Sequence, residues 1–310
     1  MKFAAIGRHE ALLQTVERLL SQGHELAYVV TAQEAPEYKA GVADFQALAA
    51  RQGVPCIVAA RLDATVTARL AGLGAEVGVS MNFPTVIGKA AIDLFPLGLL
   101  NAHGGDLPRY RGNACQAWAL INGEDHIGLC IHQMVADELD SGDVLAKAVL
   151  AVDANTRIGQ VSGWMEHSIP GLFAEALAKL AQDPGYVLYR QLETGQRPLR
   201  CYPRRPEDGR IDWARPAEEV VRFINACGPP YAGAFFEFEG VEYRLDEADY
   251  VPAEEAYCAI PGQVARIHRD GSVDIACRAP GYCRIATVRD GQGRSEPLGS
   301  LIRSVRQRLG

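Results

Sequence analysis

Apolar residues in the first half of the chain come in short runs separated by longer stretches of a different rhythm. KFAAIG (2–7), ELAYVV (25–30), PCIVAA (55–60) and EVGVSMN (76–82) have strand length and end at polar, Gly or Pro residues. Between the first two runs, Leu12, Leu13, Val16, Leu19 and Leu20 share one helical face. VADFQALAARQG and an Ala/Leu-rich segment after residue 61 repeat that spacing. Strand–helix alternation predicts an α/β fold, a Rossmann-like, mostly parallel sheet with helices on both faces. Further strands are predicted over 77–87, breaking at Pro84, and over 96–103, 128–135 and 143–152. A helix over 158–180 is interrupted at Pro170.

The stretch 99–144 carries the chemistry. Its first strand delivers Asn101 and His103 to one side, because alternate strand residues share a face. GGDLPRYRG then forms an irregular loop, and Asn113 is expected to cap a helix over 114–122 that Gly123 ends. The strand 128–135 leads into an acidic turn containing Asp140. Open α/β sheets gather reactive groups beyond strand carboxyl ends, so Asn101, His103 and Asp140 are expected to converge. An amide donor stabilises a developing oxyanion, an imidazole exchanges a proton near neutrality, and a carboxylate stabilises the imidazolium. Together they suit acyl transfer to an amine, with no Ser or Cys nucleophile. Turn stabilisation is the plainer alternative for each residue taken singly.

Beyond residue 180 the apolar periodicity fades. Residues 184–211 read as a linker, after a catalytic domain over 1–183 and before a smaller domain over 212–310. That last part has one helix near 216–226 and short strand-like segments: GAFFEFEG, VEYRLDEA, GQVARIH, SVDIACR and CRIATVR. Serial short strands suggest a small barrel or sandwich.

NAHGGDLPRYRGNA, WALINGE, GLCIHQM and LDSGD together resemble the signature of the folate-dependent formyltransferases, the family of methionyl-tRNA formyltransferase. PEDGRIDW and PPYAGAFF resemble that family's C-terminal, OB-like β-barrel domain. The resemblance implies 10-formyltetrahydrofolate as formyl donor, with Asn101 and His103 on the formyl oxygen and Asp140 managing the proton. It also implies a folate site between Phe83, Val86 and Ile87 on one side and Val135, Asp137 and Leu139 on the other; core packing is the alternative for Phe83 and Ile87. GGDLP departs from the family's usual Ser-Leu-Leu-Pro. On the acceptor side, beside Tyr110 and Arg111, Asp106 is expected either to receive a substrate ammonium group, or to be merely solvated or cap those two residues.

Charge narrows the acceptor. The chain has 310 residues, 48% of them apolar, and a net charge of −7. A tRNA binder needs local cations, yet TAQEAPEYKAGVADF, where methionyl-tRNA enzymes carry a basic loop, has only Lys39. Arg200, Arg204, Arg205 and Arg210 form the best remaining cluster, open to phosphate or to surface ion pairing. A small-molecule amine is therefore the expected acceptor, with tRNA less favoured and a catalytically silent folate- or nucleic-acid-binding protein as the alternative of another class. Eight cysteines without CxxC spacing read as free thiols, and no metal motif, leader or membrane-spanning run is apparent, so a cytoplasmic protein is expected.

Overall fold

A computed structural model describes residues 1–310, which divide into two compact units. The first comprises Met1–Gly112, Gly128–Val149 and Gly163–Cys201; the second comprises Asn113–Ile127, Leu150–Ser162 and Tyr202–Gly310.

In the first unit, β1 (Lys2–Gly7), α1 (Glu10–Ser21), β2 (Glu25–Thr31), α2 (Val42–Gln52), β3 (Cys56–Val58), α3 (Ala64–Ala71), β4 (Val77–Met81), α4 (Lys89–Ile92) and β5 (Leu99–His103) follow the predicted alternation. After the two-residue β6 (Arg111–Gly112), and with α5 (Cys115–Asn122) falling in the second unit, β7 (His126–Gln133) and β8 (Val144–Ala151) complete a seven-stranded sheet ordered β3-β2-β1-β4-β5-β7-β8. The pairs among β1 to β5 are parallel, and β7 runs antiparallel to β5. Strand alternation sorts the core. Phe3 and Ala5 join Leu12, Phe45 and Phe173 on one face, while Ala4 and Ile6 join Leu70, Ala91 and Phe95 on the other. Helices α1, α2 and α6 (Ile158–Gln182) thus supply one face, and α3 and α4 the other.

Two local expectations are corrected. Helix α6 runs through Pro170 without a break. One missing N–H costs it a single hydrogen bond, while Ile169, Leu172, Phe173, Leu177 and Leu180 bury against the sheet. Each such side chain contributes roughly 1.5–3 kcal/mol, which outweighs the loss. Asn113 does not cap α5: the N-cap is Ala114, left-handed at φ 53°, with no side-chain hydrogen bond. Gly123 ends that helix as predicted.

The stretch read as a linker is built into the first unit as far as Cys201. Tyr189 packs against Leu107, Cys130 and Val144, Gln191 is buried, and β9 (Arg200–Cys201) pairs in parallel with β6.

In the second unit, α7 (Ala217–Cys227) turns Val220, Val221 and Ile224 into a core shared with β10 (Ala234–Phe238), β11 (Val241–Leu245), β12 (Asp249–Val251), β13 (Gln263–Ile267), β14 (Val273–Ala276), β15 (Tyr282–Ile285), β16 (Thr287–Arg289) and β17 (Ser295–Pro297). These strands form two four-stranded antiparallel sheets, β10-β11-β16-β17 and β12-β15-β14-β13. CRIATVR, read as one strand, is two: the chain leaves one sheet after Ile285 and enters the other at Thr287. No helix is long and apolar enough to cross a membrane.

Candidate active site

Strand β5 is apolar where it crosses the core and polar at its end. Leu100 and Ala102 face one side, and Leu99, Asn101 and His103 the other. Its antiparallel register with β7 sets Asn101 opposite His132 and His103 opposite Cys130. The chain then turns back through 134–143. Gly142 lies so close to β7 that a Cβ there would sit 2.0 Å from the Gln133 carbonyl oxygen. Asp137 and Asp140 adopt left-handed backbone, φ 61° and 49°, which costs an L-residue about 1–2 kcal/mol. Buried contacts offset that cost at Asp140.

Asp140 Oδ2 accepts from the Gly112 N–H at 2.8 Å and lies 3.5 Å from His103 Nδ1, while Oδ1 lies 3.5 Å from His132 Nε2. The structure therefore brings Asn101, His103 and Asp140 together, linked through His132, whose Nε2 is 3.3 Å from Asn101 Nδ2. Burial alone would push the Asp140 carboxyl up, but His103, His132 and the Gly112 N–H hold it well below the usual carboxylate range. Burial pushes the His103 imidazole down, opposed by Asp140.

The hydrogen bonds fix the proton positions. The Tyr110 carbonyl only accepts, so His103 Nε2 carries the hydrogen that bridges their 2.7 Å separation. Nδ1 is then the nitrogen that faces the Asp140 carboxylate, and the ring stabilises that carboxylate when Nδ1 carries a proton. His132 Nδ1 faces the Gln133 carbonyl at 2.8 Å, and its Nε2 lies between the Asn101 amide nitrogen at 3.3 Å and Asp140 Oδ1 at 3.5 Å. Asn101 keeps a second N–H for a ligand. Gln191 braces the turn from below, donating to the Asp140 and Gly142 carbonyls at 2.8 and 2.7 Å and accepting from Arg111 Nε and Nη2.

The other candidates fall in varied settings. Asp106 forms an ion pair with Lys147 on β8. Tyr110 is buried, with its carbonyl on His103 and the Arg109 guanidinium over its ring. Arg111 lines a cleft with Glu138, Leu139, Ser141, Pro198 and Arg200. Ile87 is buried in the core and Phe83 packs partly against it, whereas Val86 is 78% exposed and Val135 and Leu139 are also exposed. Asp137 is exposed in the turn.

Sequence reasoning missed His132 and Gln191 as parts of this site. His132 had a signal, since it shares a strand face with Cys130 and would meet β5 once the hairpin register was known. Gln191 had none, lying in a stretch without periodicity.

A family model described as "Formyl transferase" matches residues 1–177, and one for its C-terminal domain matches residues 204–306. The chain belongs to the formyl transferase family. Methionyl-tRNA formyltransferase of Heliobacterium modesticaldum is 30% identical over 315 residues, covering 99% of this chain and 98% of that protein. Among solved structures, an N-formyltransferase from Helicobacter canadensis in complex with folinic acid and dTDP-3-aminofucose has a TM-score of 0.69 at 12% identity, covering 92% of this chain and 98% of that one. HypX from Aquifex aeolicus, in complex with tetrahydrofolic acid, has a TM-score of 0.61 at 20% identity and covers 97% of this chain. This chain spans only 46% of that HypX chain. The two structural likenesses are of fold, a Rossmann-like α/β unit followed by antiparallel strands. As a formyl transferase, the protein is an enzyme that transfers formyl groups.

Proposed function

We propose that the protein passes the formyl group of 10-formyltetrahydrofolate to the primary amine of a small metabolite, an amino sugar nucleotide or an amino-acid-like amine. The convergence of Asn101, His103 and Asp140 carries this reading. Two observations suit the donor. Phe83 and Met134 pack on the same apolar cluster, and their loops leave the aliphatic side chains of Val86 and Val135 exposed, a surface that suits a flat aromatic ligand. Asn101 also has a spare amide N–H within one hydrogen-bonded network of the histidines and the carboxylate.

The bound donor supplies an activated formyl carbon. Asn101 donates its free N–H to the formyl oxygen, its amide held in register by His132; such a donor is worth about 2.7–4 kcal/mol of barrier. As the acceptor nitrogen bonds to the formyl carbon, His103 takes up the proton that the amine sheds, at Nδ1, and the same proton is returned to the donor nitrogen as the donor's C–N bond to the formyl carbon breaks and tetrahydrofolate leaves. Asp140, ionised and 3.5 Å away, stabilises the resulting imidazolium. Tyr110 and Asp140 then accept from the two ring N–H groups, so the protonated ring is fully satisfied.

A small acceptor is favoured because the loop after β2 carries a single basic residue, Lys39, which lies in ion-pair range of Glu10 and Glu166. Methionyl-tRNA is the second reading, favoured by the full-length likeness to a methionyl-tRNA formyltransferase. Purified protein with 10-formyltetrahydrofolate and a panel of amino sugar nucleotides, amino acids and methionyl-tRNA, read by product mass, separates the two. Formylation of methionyl-tRNA alone would replace the small-amine reading.

A further inference from the structure

The loop 104–110 joins β5 to β6, and it is here that the family's usual Ser-Leu-Leu-Pro gives way to Gly105-Asp106-Leu107-Pro108. Asp106 is not left waiting for a substrate ammonium group. Its carboxylate pairs with the Lys147 ammonium of β8, and the two side chains are only 17% and 25% exposed. The loop reaches β8 because β7 has no side chain in the way. A Cβ on Gly128 would lie 2.7 Å from Asp106 Cα and 2.9 Å from its Oδ1, closer than real Cβ contacts come. Lys147 Nζ also lies 5.8 Å from the centre of the Tyr189 ring, and Tyr189 donates its O–H to the Leu107 carbonyl at 2.8 Å. Burial pushes the Tyr189 phenol well up, so that O–H stays a donor across the pH range of an assay. Residues 106 and 107 are thus clamped twice, through a side chain and through the backbone. Leu107 is buried and its N–H donates to the Gly105 carbonyl at 3.0 Å, so the clamp fixes the turn at Gly105 as well. Gly105 packs against both His103 and the Tyr110 carbonyl, whose oxygen lies 2.7 Å from His103 Nε2.

We propose that the Asp106–Lys147 ion pair, backed by Tyr189, is the positioning device for the catalytic imidazole: it holds the loop 104–110 so that the Tyr110 carbonyl keeps His103 turned towards Asp140. The inference deepens the formyl-transfer reading and rests on it, since a ring that carries the amine's proton needs a fixed direction. Asp106 and Lys147 act through the loop rather than on the reacting atoms. Removing one of them leaves the other as an uncompensated, half-buried charge, and the loop must move to bring that charge to water. The ring then loses the acceptor at Nε2 that fixes its rotation. The charged and titratable groups facing His103 are Asp140 from the acidic turn, His132 from β7 and Arg111 from β6. To these the Tyr110 carbonyl adds an acceptor that favours the protonated ring against burial. Releasing the carbonyl therefore lowers the pH at which the ring takes up a proton.

The test uses the full chain with Asp106→Asn, and with Asp106→Leu and Lys147→Met combined, which replaces the ion pair by an apolar contact. Folds are checked by circular dichroism, and affinity for 5-formyltetrahydrofolate by calorimetry. Steady-state rates are measured against pH with 10-formyltetrahydrofolate and the acceptor found in the amine panel. In Asp106→Asn, kcat falls about tenfold to a hundredfold while KM and folate affinity stay within about twofold of wild type. The acidic limb of its rate profile moves down by about 0.5–1 pH unit. In protein labelled with ¹⁵N-histidine, the His103 Nε2–H proton, assigned by its loss in His103→Gln, gives a sharp downfield signal in wild type. In Asp106→Asn that signal broadens by exchange with water. The double variant recovers both the rate and the sharp signal. An unshifted limb with an unchanged signal in Asp106→Asn would overturn the clamp, whatever the change in stability, and so would a double variant as impaired as the single one. Failure of the wild-type protein to formylate any amine would instead count against the formyl-transfer reading, and the ring N–H signal would still decide the clamp.

Discussion

Gly105→Ala tests the geometry around His103 through a single methyl group. A Cβ at this position would lie 2.2 Å from the Tyr110 carbonyl oxygen and 2.5 Å from His103 Nε2, where real Cβ contacts stay beyond 3.0 Å. Gly105 does not have left-handed backbone, so space alone excludes a side chain. The carbonyl must retreat by about 0.8 Å and the ring by about 0.5 Å, in a close-packed interior that does not yield freely. Both movements separate the atoms of the 2.7 Å His103–Tyr110 hydrogen bond. Leaving that buried pair unmade costs about 1–3 kcal/mol of stability. A displacement approaching 1 Å of a reacting group costs about a hundredfold in rate. The expected result is a fall of about a hundredfold in kcat/KM for formyl transfer and a Tm lower by roughly 2–10 °C, with folate affinity retained. An unchanged Tm together with kcat/KM within threefold of wild type would refute the packing argument.

Other consequences follow from the same contacts. Gln191→Leu strips the Asp140 and Gly142 carbonyls and the Arg111 guanidinium of their shared partner; a loss of about 2–4 kcal/mol is expected in urea unfolding, and a smaller loss would mean water replaces the amide. Because burial depresses the His103 pKa, the unfolded chain binds more protons between the folded value and the ordinary value of 6.5, so stability rises with pH across that window and the contribution is level above it. Asp140, depressed in the fold, adds stability that is present above its ordinary value of 3.8 and is lost as pH falls below it. His103→Gln should flatten the slope of Tm just below pH 6.5, and an unaltered slope would assign it to the half-buried histidines His9 and His24. In the second unit, Asp274 is buried between Arg284 and His268. Asp274→Asn should destabilise by about 1–3 kcal/mol in urea unfolding while sparing folate binding.

The α/β unit was legible because its strands run through the interior and its helices have one apolar face, so burial writes itself into the residue pattern. The same logic placed Asn101 and His103 correctly, since a two-residue alternation fixes which side chains share a face. What escaped depended on contacts between distant residues. His132 became part of the site only through the β5–β7 register, and Gln191 through a turn whose backbone carbonyls left no trace in composition. Pro170 misled because local helix chemistry was outweighed by the apolar face on either side of it. The strands β12 and β17 are three residues long, too short for an alternating pattern to appear.

The most direct measurement is the single-turnover rate of formyl transfer for wild type and Asp140→Asn, with the folate dissociation constant determined in parallel. A fall of at least about a hundredfold in rate, with folate bound as tightly as before, is the predicted result. Equal rates in the two proteins would remove the carboxylate from the chemistry and contradict the account.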